Sequence, residues 1–193
     1  DLEIRDSSKE ELFELCMKLT ERTNEAREIL ADSVKKGGIG SCEENAPYIS
    51  GMTHRERAEA CLQAYRKLGE KYEVLSGYYS MAKPVLLSRL MSEFNITGIY
   101  FPGTVEANVN TDVPDCEKAA TICHELTHLR GFMREDEANY LGYKACVESG
   151  NPELVYSGYI MALTHACNRL YDIDPILYFE VLENYSPGVN ADE

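Results

Sequence analysis

His124-Glu125-Leu126-Thr127-His128 sets two imidazoles four residues apart, with a carboxylate directly after the first. In a helix four residues make about one turn, roughly 6 Å along the axis, so both rings lie on one face and reach a single metal ion. Glu125 is turned one residue around the same helix. That offset directs it at a metal-bound water rather than at the metal, the position of a general base. With 4 His among 193 residues, a shuffled chain contains this pattern only about 0.01 times. The expected ion is Zn²⁺, which in catalytic sites takes three protein ligands and leaves a fourth position open. The competing explanation is a helical pair of histidines with no metal.

A third ligand has to come from nearby, and Glu135, Asp136 and Glu137 follow within one helical turn of each other. In gluzincin metallopeptidases the third ligand is a Glu on a separate helix, with an Asp or Asn four positions later that supports a zinc-binding His. Glu135 and Asn139 have a similar spacing, and Asn139 would accept a hydrogen bond from an imidazole N–H and fix its tautomer. Glu137 is the rival ligand. The acidic run also suits the positive end of a helix dipole. Hydrolysis needs a donor near the developing oxyanion, for which Tyr156 is the first choice and Tyr159 and His165 are alternatives. Val105 to Val109 is the candidate edge strand on which an extended peptide would pair. His54, far from the motif, is expected at the surface. No serine-nucleophile elbow, phosphate loop or dinucleotide fingerprint occurs. Cys123 and His124, adjacent in a helix, diverge too much for a nucleophile pair.

Elements must carry these groups into place. Leu12, Leu15, Cys16, Leu19, Ala26, Ile29 and Leu30 recur at three- and four-residue steps, which predicts an amphipathic helix over residues 8 to about 34, released by the glycines at 37, 38 and 40. Thr53 with Glu56 forms a capping box for a second helix. Gly77 and Pro84 divide residues 72–91 into two shorter helical pieces. Residues 96–110, rich in β-branched and aromatic side chains, predict a two-stranded ribbon. Pro114 and Asp115 open the motif helix, which Gly131 stops near Arg130. Further helices are expected over 134–147, 153–171 and 174–185.

Nineteen basic and 33 acidic side chains give a net charge of −14, which argues against nucleic acid as a partner because phosphate neutralisation needs a basic face. The apolar content, 44%, is that of a chain able to bury a core. No run approaches the roughly 20 apolar residues of a membrane span, and Asp1-Leu2-Glu3-Ile4-Arg5 does not resemble a signal peptide. The start without Met suggests a fragment or a processed chain. Seven cysteines without a CxxC pair speak against a complete disulfide framework and for small buried residues, and spacing selects no pairs.

The run from Thr121 to Tyr140 resembles the hallmark of an uncharacterised family of bacterial membrane proteins (domain of unknown function 3810) grouped with gluzincin-like peptidases. Tyr100-Phe101-Pro102, Glu106-Ala107-Asn108-Val109-Asn110 and Tyr156-Ser157-Gly158-Tyr159 are similar to its other recurrent blocks, over roughly residues 80–170. Gly103 departs from it, since a bulkier residue is expected after Pro102. The resemblance implies amino-terminal transmembrane helices ahead of a zinc-peptidase-like domain, hence a cell-membrane protein with this domain outside the cytoplasm. The expected fold is a single mostly helical α+β domain of zincin type over 1–193, with 1–80 as an amino-terminal helical part and 81–193 as the metal-site core. The expected function is zinc-dependent hydrolysis of a peptide or protein substrate: His124, His128 and Glu135 hold the metal, Glu125 is the base and Tyr156 the donor. The alternative is a zinc-binding sensor or binding domain without turnover.

Overall fold

The computed structural model describes residues 7–37, 39–94, 96–101 and 103–193. The segment Asp1 to Arg5, Gly38 of the first loop, Asn95 and Pro102 of the ribbon lie outside them. The chain is a predominantly helical α+β fold. Helix α1 (Lys9–Lys35) starts at Ser8, whose side chain and that of Glu11 complete a capping box. Strands β1 (Gly40–Ser41) and β2 (Ile49–Ser50) pair across the following loop. Helix α2 (His54–Lys71) begins at the expected Thr53–Glu56 box. The next stretch departs from expectation. In place of two helical pieces it holds one 3₁₀ turn (Glu73–Leu75), strand β3 (Lys83–Pro84) and a short helix α3 (Ser88–Glu93). Gly77 at φ +119° and Pro84, fixed in φ, keep the chain extended between them.

The ribbon forms as β4 (Gly98–Phe101) against β5 (Glu106–Val109), antiparallel, with Gly98 opposite Val109 and Phe101 opposite Glu106. Strand β3 joins β5 on its other side, parallel, so the order is β3-β5-β4. Helix α4 (Asp115–Leu129) carries acidic residues in its first turn and stops before Gly131 at φ +88°. Helices α5 (Glu135–Glu148), α6 (Pro152–Ile173), α7 (Pro175–Leu182) and α8 (Pro187–Asp192) complete the chain. The last was not expected. A six-residue helix shows no periodicity, and its one local signal is Ser186 as N-cap followed by Pro187 at the first helical position.

Packing does not follow the expected division at residue 80. Helix α2 shares a core with α4, α5 and β5 through Tyr65, Leu68, Ile122, Leu126 and Val109, whereas α1 packs on α6, α7 and α8 around Leu30, Leu163, Leu170 and Val189. Helix α4 touches both groups. Its buried stripe is Ala119, Ile122, Cys123 and Leu126, while Glu117, Thr121, His124 and His128, at steps of four, three and four, face a cleft. All seven cysteines are buried and free, acting as small apolar residues. Among the described residues no helix is long and apolar enough to cross a membrane.

Candidate metal centre

The motif is helical, as its chemistry requires, and its helix is held from three sides. Tyr65 of α2 donates its hydroxyl to the Cys123 carbonyl at 2.7 Å, and Ser157 of α6 accepts from the Ala120 N–H at 2.9 Å. Helix α5 comes close because Gly142 has no side chain: a Cβ there would stand 3.0 Å from the His124 nitrogen and 3.2 Å from its Cα. Gly158 does the same between α6 and α5, where a Cβ would lie 2.6 Å from that of Cys146.

This packing brings the first residue of α5 against the motif. The Nε2 atoms of His124 and His128 are 3.0 Å apart, and the Glu135 carboxylate lies 3.2 Å from the first and 3.7 Å from the second. Among the described residues this is the one cluster of three such ligand atoms within 4.8 Å of one another. Both imidazoles are oriented from behind. His128 Nδ1 is 2.8 Å from the Phe132 carbonyl oxygen, and His124 Nδ1 is 2.8 Å from Asn139 Oδ1. Each of these oxygens accepts a hydrogen bond from Nδ1–H, which fixes the proton there and leaves the lone pair on Nε2. Two lone pairs and a carboxylate so close repel one another, and a cation between them turns repulsion into binding. Tetrahedral zinc with ligand bonds of about 2.0–2.1 Å separates its ligand atoms by roughly 3.4 Å, close to the 3.0 Å between the two Nε2 atoms and the 3.2 Å from His124 Nε2 to Glu135 Oε2, while Oε1, the other oxygen, is the one 3.7 Å from His128 Nε2. The donor set therefore fits Zn²⁺. Glu137 is outside the cluster, and its backbone N–H is bonded to Asp136 instead.

Glu125 is 5% exposed, and its Oε2 has no hydrogen-bond partner. Burial, and secondarily the charge of Glu135, push its carboxyl up to about 8, so it holds a proton far more readily than a carboxylate in water. A Cβ on Gly98 would collide with this carboxylate, so the bare backbone of β4 is what makes room for it. Desolvation, and next the neighbouring His128, lower the pKa of His124, which favours the neutral ring a metal needs.

The cleft has a volume of about 750 Å³ and is walled by β4, α4, Met133 and the α6 residues Met161, Thr164 and His165. His165 is thus at the cleft, its basicity lowered by desolvation. Tyr156 is not. It is fully buried on the far side of α6, where its hydroxyl donates to Asp192 at 2.6 Å, and its expected role as oxyanion donor is withdrawn. His165 and Tyr156 are nine residues apart, about half a revolution on a helix, so only one of them can face the metal. Tyr159 stacks edge-on with Tyr143. His54 is half-buried, its Nε2 2.9 Å from the Ala82 carbonyl oxygen, away from the centre. Tyr100 was not anticipated: it lines the cleft with its ring 6.0 Å from that of His128. Its sequence signals were its place in the Tyr100-Phe101-Pro102 block and alternation within the ribbon, which puts it on the face of Gly98.

The expected edge strand also changes. Strand β5 is central, paired on both sides, and β4 is the edge beside the cleft. The Asn110 N–H donates to the Thr97 carbonyl at 2.8 Å, and hydrogen-bonded pairs alternate in an antiparallel ladder. The N–H and C=O groups of Gly98 and Tyr100 therefore point away from β5, toward the open edge.

Fold and site together define a helical α+β protein with a His-His-Glu cluster on two adjoining helices beneath an open-edged sheet. The family described as "Protein of unknown function (DUF3810)" matches residues 1–193, and the chain belongs to it. Comparison with curated proteins and with solved structures finds no match.

Proposed function

We propose that this chain is a zinc-dependent peptidase domain of the gluzincin type, with a zincin-like arrangement of metal helix and edge strand. The observation that carries the proposal is the triangle of His124 Nε2, His128 Nε2 and Glu135, whose imidazoles are each oriented by an acceptor at Nδ1. Zinc bound there supplies a Lewis acid and a water of lowered pKa. The remaining work falls to the protein. Glu125, desolvated against Gly98, receives a proton on its carboxylate and returns it to the leaving amine. Gly98 and Tyr100 offer backbone N–H and C=O groups along the open edge of β4, which align an extended polypeptide as an added strand. His165, across the cleft, is the donor placed to meet negative charge on the substrate carbonyl oxygen. The domain is then held on the outer side of a cell membrane by segments beyond this chain, as the sequence resemblance implies.

Elemental analysis of the purified chain, beside His128→Ala, is the first test. About one zinc per chain, lost in the variant, supports the centre. No zinc in the native chain after zinc is offered and the excess removed brings the proposal down. Cleavage of a peptide library by the native protein and not by Glu125→Gln, with zinc retained in both, then separates a hydrolase from a silent zinc-binding domain.

A further inference from the structure

The metal-facing cleft occupies one face of the sheet, and a second depression occupies the other. On β4 the side chains alternate: Gly98 and Tyr100 face α4, and Ile99 and Phe101 face outward. The outer face, roofed by α3, forms a groove of about 620 Å³ walled by Leu87, Leu90, Phe94, Ile96, Ile99 and Phe101. These side chains are exposed to an extent unusual for large apolar groups, with Leu87 at 65%, Leu90 at 53% and Phe94 at 69%. The groove and the cleft share Ile96 and Ile99, so the two depressions meet across a single strand. That strand is β4, and its far edge is open.

We propose that this groove is a specificity subsite that selects large apolar side chains of the polypeptide lying along β4. The proposal rests on the strand-addition part of the function put forward above. An added strand pleats in phase with β4, so its alternate side chains fall on opposite faces of the sheet. One set enters the cleft beside Glu125. The other set lies against Ile99 and Phe101 and reaches the groove under α3. The preferred substrate is therefore an extended segment with large apolar residues at every second position.

A bilayer fits less well, and a second copy of the chain is the alternative that the test separates. A bilayer would have to accept the polar floor made by Thr104, Glu106 and Asn108, and a net charge of −14 opposes approach to an anionic lipid surface. A second copy of the chain, pairing edge to edge through β4, would cover the groove and the cleft mouth together.

The test uses the zinc-loaded chain with Glu125→Gln, so that peptides bind without being cut, and the same protein carrying Leu90→Gln and Phe94→Ser. Both changed side chains are exposed, and zinc content checks that the centre is intact. Fluorescent decapeptides with Leu at alternate positions are compared with the same peptides carrying Ser. The expected result is that Leu peptides bind about ten-fold tighter or more, and that this advantage falls below about two-fold in the groove variant with zinc unchanged. Equal affinity for both peptide sets, or an advantage the variant keeps, overturns the proposal. So does groove-dependent binding to phosphatidylglycerol vesicles without peptide selectivity, or a dimer in sedimentation that the groove variant dissociates. Selective binding with no cleavage by the native protein leaves the subsite standing and removes the peptidase. Cleavage without side-chain selectivity does the reverse.

Discussion

Glu125 has two neighbours that explain its behaviour. Burial, and next the charge of Glu135, raise its proton affinity, and Gly98 leaves the gap in which its carboxylate sits. A methyl group at position 98 would fill that gap while leaving the imidazoles, which Asn139 and Phe132 hold from the opposite side, undisturbed. Gly98→Ala is therefore expected to keep about one zinc per chain and to lower kcat by roughly 100-fold, the effect of displacing a catalytic group by about 1 Å. Parallel measurement of zinc content and turnover checks this. Full activity in the variant would show that the base does not depend on β4.

Helix α5 contributes at the scale of an element, because one packing contact sets both the proposed ligand Glu135 and the acceptor that holds His124. Glu135 begins it, Asn139 lies one turn on and Gly142 nearly one turn further, so the three share a face toward α4. Gly142 meets the backbone of His124 directly. Gly142→Ala is expected to force α5 outward and to carry both Glu135, the proposed third ligand, and the His124 acceptor with it. The expected cost is about 1–3 kcal/mol of stability, as for other overpacked contacts, together with a loss of zinc affinity on the order of 10-fold or more, as when ligand-supporting groups move. Thermal unfolding and competition with a chromogenic chelator measure the two effects. A stability loss with zinc affinity unchanged would mean that α5 does not position the centre.

At the scale of the whole molecule, the far ends of the chain are locked together around Asp192. Its carboxylate accepts from Arg27 Nε at 2.6 Å and from the Tyr156 hydroxyl at 2.6 Å, and Arg27 and Asp192 are almost wholly buried. A second buried pair, Arg57 with Glu153 at 2.6 Å, ties α2 to the start of α6, with Tyr48 and Ser50 also donating to Glu153. Asp192→Ala would leave the Arg27 charge buried without its partner, at a cost of about 3–5 kcal/mol. For a chain of this size that corresponds to a Tm lower by roughly 6–20 °C. Adding Arg27→Met should recover most of the loss, because the penalty lies in the unpaired charge. No recovery in the double variant, followed by calorimetry, would locate the stabilisation elsewhere in the cluster.

The features legible in the sequence were those that depend on near neighbours along the chain. The capping box at Thr53, the motif helix closed at Gly131, and the pair of imidazoles at His124 and His128 all follow from spacings of three or four residues or from one local geometry. Choices between equivalent candidates were left to tertiary packing. Tyr156 and His165 sit in one helix, and nothing local says which face of it meets the metal; the answer came from α1, α8 and Asp192, which bury Tyr156. Likewise β4 is the edge and β5 the centre because two residues of β3, more than twenty positions upstream of β5, pair with β5. Such contacts join parts of the chain that carry no mark of each other, since a pairing partner is chosen by the energy of the assembled sheet and core rather than by any one segment.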